Sequence, residues 1–253
     1  MADYGQLELR ILAHMTNCKS MLEAFRAGGD FHSRTAMSMY PKIAEAVEKG
    51  AVLLEWDKAK GEAPAPLLKN AFAAERKRAK TMNFSIAYGK TAHGFSKDWE
   101  CSLEEASSAL SLWYSDRKEV KDWQDQVKAL ALNKGYTRTL LGRYRQLTDL
   151  VRNREASKRT HGLRAAINTP IQGGAADVVN AAMVRLHYNQ TLKDMNWHLL
   201  CQIHDEVILE GPESSAKEAL PLIKDILEHP LDEELRVALE VDIKIAKNWY
   251  DAK

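Results

Sequence analysis

The spacing of apolar residues along the chain predicts helices far more often than strands. Leu7, Ile11 and Met15 recur every four residues, which places them on one face of a helix. The same periodicity predicts a long helix that ends at Gly89, since glycine commonly follows a helix C-terminus. The helices predicted after the first one cover about 71–88, 103–133, 175–192 and 214–228.

Short apolar runs near the C-terminal end follow a different pattern. Residues 199–203 and 207–209 are largely apolar and flank the polar triplet HDE at 204–206. Two short runs around a polar centre predict a β-hairpin with acids at or beside its tip. A turn or hairpin is also predicted over 135–150, and a strand over 237–245. A mainly helical chain with a minority of antiparallel strands belongs to the α+β class.

The stretch 41–70 follows neither the helical pattern nor the strand pattern of apolar residues. Its prolines and glycines interrupt regular structure; they are Pro41, Gly50, Gly61, Pro64 and Pro66. This composition predicts a surface loop insertion with little internal order. Just before it, Asp30 follows two glycines and is expected to cap the next helix.

Composition limits the classes of protein that this chain can belong to. Its 253 residues allow one large domain or two small ones. No apolar run approaches the length of a membrane span, so we expect no membrane partner. Met1 leads directly into patterned sequence, so no targeting peptide is visible. Three widely spaced cysteines predict neither a disulfide framework nor a cysteine-based zinc site.

Charge is distributed unevenly along the chain. Residues 134–164 carry nine Lys or Arg against two acids, whereas residues 205–242 carry twelve acids against three bases. A basic segment of this kind can neutralise a polyanion by displacing its counterions. A solvated helix face laced with ion pairs is the commoner explanation of a charge run. Composition therefore suggests nucleic acid as a partner and leaves both interpretations open.

Four residues in the segment RKRAKTMNFSIAYG (76–89) repeat at a spacing of four: Arg76, Lys80, Phe84 and Tyr88. This spacing places two cations and then two aromatic rings along one helix face. A nucleoside triphosphate has the same layout, with a polyanion at one end and a flat base at the other. The alternative is an amphipathic helix with a basic start and a half-buried aromatic face.

Carboxylates occur in both predicted strand regions. Asp3 is expected at the end of a first short strand, and Asp205 and Glu206 lie at the hairpin tip. Two carboxylates from separate strands can hold a pair of Mg²⁺ ions for phosphoryl transfer. A polar hairpin tip is the ordinary explanation of the triplet, and His204 on its own is more often a hydrogen-bonded turn residue.

The order in which these segments occur is more specific than any one of them. DYGQLELR (3–10), RKRAKTMNFSIAYG (76–89) and HDEV (204–207) resemble motifs A, B and C of the family A DNA polymerases. Further matches are DFHSRTA (30–36), LLGRYRQL (140–147) and RAAINTPIQGGAADVV (164–179). The resemblance covers nearly the whole chain. The segments DYGQLELRILAH and NFSIAYGKTA, together with the long loop, are more similar to plant and algal organellar members than to bacterial ones.

The resemblance implies an α+β palm, with a small antiparallel sheet, and mainly helical fingers. Residues 1–30 would form the first part of the palm, 31–164 the fingers with the loop insertion at 41–70, and 165–253 the second part of the palm. Compared with the family, we expect this sequence to lack the thumb and the exonuclease domain. We therefore expect an incomplete strand at Asp3, weak affinity for primer–template DNA and poor processivity.

The resemblance also implies the chemistry. Asp3 and Asp205 would bind two Mg²⁺ ions, with Glu206 as a neighbouring catalytic acid. The reaction would be template-directed DNA synthesis, in which a primer 3′-OH attacks the α-phosphorus of a dNTP and pyrophosphate leaves. Glu8 would be a steric gate that occupies the space of a ribose 2′-OH. The chain would act as a monomer in plastid or mitochondrial replication or repair.

Binding residues follow from the same motifs. Arg76, Lys80 and His32 would contact the triphosphate of the dNTP. Phe84 would lie against the deoxyribose and Tyr88 at the nascent base pair. Contacts to the minor groove of the primer–template DNA are implied for Arg164, Asn168, Gln172 and His204. Minor-groove acceptors are nearly the same for every base pair, which suits an enzyme that checks pairing without reading sequence.

Three other functions remain open at this point. A single-subunit RNA polymerase would share the Lys-to-Tyr-Gly helix and the His-Asp hairpin, although Glu8 argues for DNA synthesis. A fragment that binds primer–template DNA without catalysis belongs to a different class. A carboxylate-metal nuclease would use the acids but would not need the stripe that runs from Arg76 to Tyr88.

Overall fold

Helices form most of the structure, a computed structural model that describes residues 1–56 and 61–252. The strands are β1 (Ala2–Tyr4), β2 (Tyr136–Arg138), β3 (Tyr144–Gln146), β4 (His198–Ile203), β5 (Glu206–Glu210) and β6 (Val241–Ile243). The helices are α1 (Leu7–Thr16), α2 (Lys19–Arg26), α3 (Phe31–Met39), α4 (Pro41–Glu48), α5 (Leu68–Ala71), α6 (Ala73–Ala87), α7 (Ala92–Trp99), α8 (Leu103–Ser115), α9 (Lys118–Lys134), α10 (Thr148–Val151), α11 (Ala156–Tyr188), α12 (Gln190–Asp194), α13 (Ala216–Glu228) and α14 (Trp249–Ala252). This content confirms the predicted α+β class.

Two compact units divide the chain. The sheet unit comprises Met1–His14, Thr137–Gln146 and Thr169–Lys253, and the helical unit comprises Met15–Tyr136 and Leu147–Asn168. Helices α1 and α11 contribute residues to both units. The division into palm and fingers at residues 30 and 164 stays a prediction.

A four-stranded antiparallel sheet in the order β4-β5-β1-β6 forms the centre of the sheet unit. Strand β1 has three residues but pairs on both sides, so that Asp3 lies opposite Glu206 in β5 and Asp242 in β6. Ala2 and Tyr4 are buried. Because side chains alternate across a strand, Asp3 points away from this apolar face. The hairpin β4–β5 confirms the prediction for 199–209.

Strand β6 is shorter than the stretch 237–245 predicted from its apolar residues. Arg10, which is buried, explains where regular pairing stops. Its Nη1 donates to the carbonyl of Ala238 at 2.6 Å, and its Nη2 forms an ion pair with Glu240 at 2.6 Å. The amide of Gly5 donates to the carbonyl of Glu240 at 2.8 Å. The main-chain carbonyls before Val241 therefore accept hydrogen bonds from the side chain of Arg10 and from the turn at Gly5, and not from a neighbouring strand.

Helix α11 differs most from its prediction. We expected a helix to begin after Pro170, but α11 begins at Ala156 and Pro170 lies inside it. A proline inside a helix removes one hydrogen bond and costs about 3 kcal/mol. Ala166 and Ile167 are buried before the proline and Ile171 after it, so packing on both sides offsets that cost.

The stretch 41–70 contains more regular structure than its composition predicts. Pro41 occupies the first turn of α4, where a proline costs no hydrogen bond. The amide of Leu53 donates to the carbonyl of Pro66 at 3.0 Å, and the amide of Leu68 donates to that of Leu53 at 2.8 Å. The expectation of little internal order is therefore wrong for these parts. Residues 57–60 of the predicted loop lie outside the described residues.

The remaining long elements agree with the sequence pattern. Helix α6 covers residues 73–87 of the predicted stretch 71–88, and Gly89, at φ +69°, follows its C-cap residue Tyr88. Helices α8 and α9 cover the predicted 103–133, and β2 pairs with β3 within 135–150. No helix in residues 1–56 and 61–252 is both long enough and apolar enough to cross a bilayer.

Candidate functional site

Carboxylates converge at the centre of the sheet in the sheet unit. Asp3 on β1 faces Glu206 across the strand pair, and the amide of Tyr4 donates to the carbonyl of Asp205 at 3.3 Å. Partial burial and then the negative charges of Asp205, Glu206 and Asp242 raise the pKa of Asp3. The predicted acids are therefore close enough to repel one another. Sequence reasoning missed Asp242, because only the strand register shows that it lies opposite Asp3.

The tip of the β4–β5 hairpin is a two-residue turn formed by His204 and Asp205. His204 adopts the left-handed conformation at φ +55°, which most residues other than glycine avoid. Its carbonyl accepts a hydrogen bond from Nε2 of Gln202. Tight two-residue hairpins require such conformations. The turn therefore presents Asp205 beside β1 instead of continuing a strand.

Glu206 carries an unpaired atom in this cluster. Its side chain is half-buried, and Oε2 is buried without a hydrogen-bond partner in the described structure. Buried carboxylate oxygens normally accept a bond or face a cation. Among residues 1–56 and 61–252, no group of three or more His, Cys, Asp or Glu side chains has the arrangement of a metal site. Mg²⁺ is, however, commonly bound by one or two carboxylates together with substrate phosphates. The oxygen donors therefore fit that ion.

A hollow of about 350 Å³ in the sheet unit brings four predicted residues together. Its walls include Glu8 from the first turn of α1, Gln172 from α11, and His204 with Asp205 from the hairpin turn. The rest of the lining is Gln202 and four apolar residues: Leu7, Ala175, Ala176 and Val179. The predicted steric gate, one predicted metal ligand and two predicted DNA contacts therefore line the same hollow.

The predicted nucleotide-binding residues belong to the helical unit. Arg76, Lys80 and Phe84 lie at intervals of four along α6, and Tyr88 is the residue at its C-cap. Lys80 is exposed, whereas Phe84 and Tyr88 are half-buried. The helix therefore presents the predicted order of two cations followed by two rings.

Arg76 already has a carboxylate partner. Its Nη2 donates to Oδ1 of Asp30 at 2.9 Å, and its Nε donates to Oδ2. Burial opposes the charge of Asp30, but the hydrogen bonds from Arg76 and Ser33 outweigh burial and lower its pKa. Asp30 stands at the N-cap of α3 as predicted, but its side chain makes no capping bond to the main chain. The carboxylate of Asp30 forms the ion pair with Arg76 instead of a cap.

His32 is only 3% exposed, and its ring lies 5.6 Å from that of Phe84 between centroids. Burial lowers its pKa to about 4; the negative charge of Asp30 opposes this shift, and the positive charges of Arg76 and Lys80 add to it. The imidazole is therefore neutral at physiological pH. Its Nδ1 lies 3.1 Å from Nδ2 of Asn83, a buried residue that sequence reasoning did not select.

The C-terminal end of α6 is attached to α11 within the helical unit. With its amide oriented to satisfy its neighbours, Asn168 donates from Nδ2 to the carbonyls of Tyr88 at 3.2 Å and Arg164 at 3.3 Å. Arg164 itself is exposed. Arg164 and Asn168 are the two predicted DNA contacts on this part of α11. Of these, Asn168 also connects α11 to the end of α6.

Part of the basic segment 134–164 serves the fold. Arg143 donates from Nε to the buried carboxylate of Asp177 at 2.6 Å. Arg152 donates from Nη2 to the carbonyl of Asn133 at 2.7 Å. The positive charge of the segment is thus not wholly available to an external polyanion, and the ion-pair interpretation holds for some of its members.

Comparison with known proteins matches the chain to one family model. The model of DNA polymerase family A matches residues 1–51 and 64–251. Among solved structures, the POL domain of Pol1 from M. smegmatis in complex with DNA primer-template and dNTP is similar. The TM-score is 0.83 at 30% identity, and the match covers 99% of this chain and 40% of that one.

Curated relatives come from plants and bacteria. The chain is 56% identical over its whole length to DNA polymerase I A, chloroplastic/mitochondrial, of Arabidopsis thaliana, and covers 24% of that protein. It is 57% identical to DNA polymerase I A, chloroplastic, of Oryza sativa subsp. japonica, covering 25%. Identity to DNA polymerase I of Geobacillus stearothermophilus is 34%, covering 26%. The chain thus spans about a quarter of the length of these relatives.

Proposed function

We propose, from the premise that this chain belongs to DNA polymerase family A, that it carries out template-directed DNA synthesis. The reaction extends a primer 3′-OH with a nucleotide from a dNTP and releases pyrophosphate. The observation that carries the proposal is the convergence of Asp3 and Asp205 on neighbouring elements of one sheet, beside the hollow that Glu8 lines.

Asp3 and Asp205 are the proposed ligands of two Mg²⁺ ions, and Glu206 is a neighbouring acid. Partial burial and then repulsion from the neighbouring carboxylates raise the pKa of Asp3, and a divalent cation would relieve that repulsion. When bound, the ions supply charge stabilisation for the attacking and leaving oxygens. The protein holds the carboxylates in place through the strand pairing on both sides of β1.

Helix α6 supplies the proposed contacts to the incoming dNTP. Arg76 offers a planar fork and Lys80 a compact charge, which suit phosphate oxygens in different ways. Phe84 would lie against the deoxyribose, Tyr88 at the nascent base pair, and His32 at the phosphates. Since Arg76 is paired with Asp30, a triphosphate has to exchange with that carboxylate or share the guanidinium with it.

Glu8 is the proposed steric gate against ribonucleotides. It lies in the first turn of α1 and lines the same hollow as Asp205. A 2′-OH placed there would meet a carboxylate and lose its hydration, so rejection would have both a steric and a polar component.

Contacts to primer–template DNA are proposed for four residues: Arg164, Asn168, Gln172 and His204. Arg164, Gln172 and His204 are exposed in the structure, as a contact to a macromolecule requires. The organellar setting, in plastids or mitochondria, is proposed from relatives whose names place them there. We propose that the chain acts as a monomer.

Primer extension with Mg²⁺ tests the proposal. The chain and its Asp205→Ala variant would be compared with dNTPs and with rNTPs, and Asp232→Ala is the matched control because Asp232 is a fully exposed acid of the same unit. We expect extension with dNTPs by the wild type and the control only. Duplex binding without extension by any of the three would favour a DNA-binding fragment, and equal use of rNTPs would favour an RNA polymerase. Strand cleavage would favour a nuclease.

A further inference from the structure

A chain of buried polar groups connects helix α8 to His32 inside the helical unit. The indole Nε1 of Trp113 donates to Oδ1 of Asn83 at 2.8 Å. Nδ2 of Asn83 lies 3.1 Å from Nδ1 of His32 and 3.1 Å from Oγ1 of Thr35. Trp113, Asn83 and Thr35 have no exposed surface, so water cannot substitute for any of these bonds.

The chemistry of the groups fixes the direction of the bonds that Asn83 makes with Trp113 and His32. An indole N–H can only donate, so the amide oxygen of Asn83 must face Trp113 and its NH₂ must face the other two partners. The hydroxyl of Thr35 lies 3.1 Å from the carbonyl of Phe31, to which it can donate, and its oxygen then accepts from Asn83. The remaining amide hydrogen points at Nδ1 of His32, which must therefore accept and carry no proton.

We propose that Asn83 and Trp113 are positioning residues that hold His32 as the neutral tautomer with its proton on Nε2. This inference rests on the proposed function in one respect, namely that His32 reaches the triphosphate. Because Nδ1 is occupied by Asn83, the contact would be a hydrogen bond donated from Nε2 to a phosphate oxygen. The other charged groups near the ring are Asp30, Arg76 and Lys80.

A neutral donor suits this environment. A protonated ring would add a third positive charge beside Arg76 and Lys80, and it would lose its acceptor contact with Asn83. The low pKa of His32 agrees with the geometry. Arg117, which is also buried, donates from Nη2 to Oγ1 of Thr35 at 3.4 Å, so the hydroxyl at the far side of Asn83 has a further donor and is held in place.

Two-bond ¹H–¹⁵N correlation spectra of the histidine-labelled chain distinguish the two neutral tautomers from the protonated ring. The chain has eight histidines, and His32→Gln identifies the signals of His32. We expect the Nε2–H tautomer at pH 7 and no protonation of this ring down to about pH 5. A ring protonated at pH 7, or one with its proton on Nδ1, would overturn the proposal.

We call the hydrogen bonds that run from Trp113 through Asn83 to His32 the relay. Variants distinguish an effect of the relay on the His32 tautomer from an effect of general packing. Trp113→Phe keeps an aromatic ring but is smaller and loses the indole donor, so the amide of Asn83 is free to reverse and the Nδ1 signal of His32 should shift toward a tautomer mixture. In Asn83→Asp a carboxylate faces Nδ1, so the apparent pKa of His32 should rise. Tyr114→Phe is the matched control, because it removes the neighbouring hydroxyl bond to Gln124 and should leave His32 unchanged.

The signals of the other seven histidines report whether each variant is folded. A wild-type tautomer that persists in both Trp113→Phe and Asn83→Asp, with those seven signals intact, would show that the relay does not set the tautomer. Addition of a dNTP to the wild type should move the Nε2 signal and spare Nδ1. If the tautomer is as expected but the dNTP moves neither signal, the inference about the relay stands and the proposed role of His32 at the triphosphate fails.

Discussion

Asp3 is held in a position that opposes its own ionisation. Burial and neighbouring acids raise its pKa, so the charged form is less favourable in the fold than in the unfolded chain. For such a carboxyl, stability falls as pH rises from the unfolded pKa to the higher folded pKa, and the loss is complete above it. Sites that bind a cation often carry this kind of local cost.

Asp3→Asn is therefore expected to raise the melting temperature of the metal-free protein by a few degrees and to abolish primer extension. Thermal unfolding in EDTA at pH 7 measures the first effect. Added Mg²⁺ should raise the melting temperature of the wild type more than that of the variant, because a ligand that binds the native state stabilises it. Asp232→Asn, which changes an exposed acid, is the control. A lower melting temperature for Asp3→Asn in EDTA would contradict the repulsion.

Glu8→Ala should relax the choice of sugar. The ratio of kcat/KM for dNTP over rNTP is expected to fall by at least about tenfold, since the variant lacks the carboxylate that is proposed to crowd the 2′-OH. Steady-state extension of a single nucleotide measures the ratio. Glu210→Ala, at the exposed end of β5, should leave it unchanged. An unaltered ratio in Glu8→Ala would assign sugar selection to another residue.

Phe84→Tyr should reduce discrimination against dideoxynucleotides. A phenol at this ring could replace the hydrogen bond that a missing 3′-OH would have made, an effect of about tenfold for one bond. Competition between a dNTP and its dideoxy analogue measures it. Phe72→Tyr, at the N-cap of the same helix, is the matched control. If the two variants discriminate alike, Phe84 does not lie against the sugar.

At the scale of single elements, the end of α6 depends on Gly89. This glycine has φ +69°, and a Cβ there would lie 3.2 Å from Cδ1 of Ile167. Gly89→Ala should lower the free energy of unfolding by about 1 kcal/mol for the left-handed conformation, with a further loss because Ile167 must move. Gly50→Ala is matched, with the same φ and no atom within 4 Å. Urea unfolding compares them, and an equal loss would show that Ile167 yields freely.

The elements that sequence predicted well are those whose buried face repeats without interruption. Helix α6 and the hairpin β4–β5 fall in this class, because one period runs through each and a turn residue ends it. Proline misled the prediction twice. In α11 the burial on both sides of Pro170 outweighs a local preference, and in α4 Pro41 stands where a helix tolerates it. Local rules cannot weigh contacts made far along the chain.

The candidate site shows the same limit. The motifs selected residues with charged, polar or aromatic side chains, whose proposed partners are the substrates. They did not select Asn83 and Trp113, whose bonds exist only after α6 and α8 have packed. A polar residue on the buried face of a periodic helix was the available signal for Asn83, since such a residue needs an internal partner. Trp113 gave no signal beyond that of an ordinary core residue.

For the whole molecule, the uneven charge predicts how binding to DNA depends on salt. Affinity for primer–template duplex should fall linearly on a log–log plot as salt rises, with a slope of about 0.9 per neutralised phosphate. Arg154→Ala, in the basic segment, should reduce the slope by about one. Lys217→Ala, in the acidic part, should not. Fluorescence anisotropy at several salt concentrations measures both, and equal slopes for the two variants would place the DNA elsewhere.

The central position of β1 has a consequence for how the protein is made. The amino group of Met1 bonds to the carbonyl of Lys244, 243 positions later, and both strands that flank β1 come from the last quarter of the chain. At ribosomal speed, that separation corresponds to on the order of ten to fifty seconds of synthesis. During this interval Asp3 has neither strand partner. The carboxylate cluster therefore cannot assemble before residues 206 and 242 have been synthesised, and the closure of so long a loop is slow.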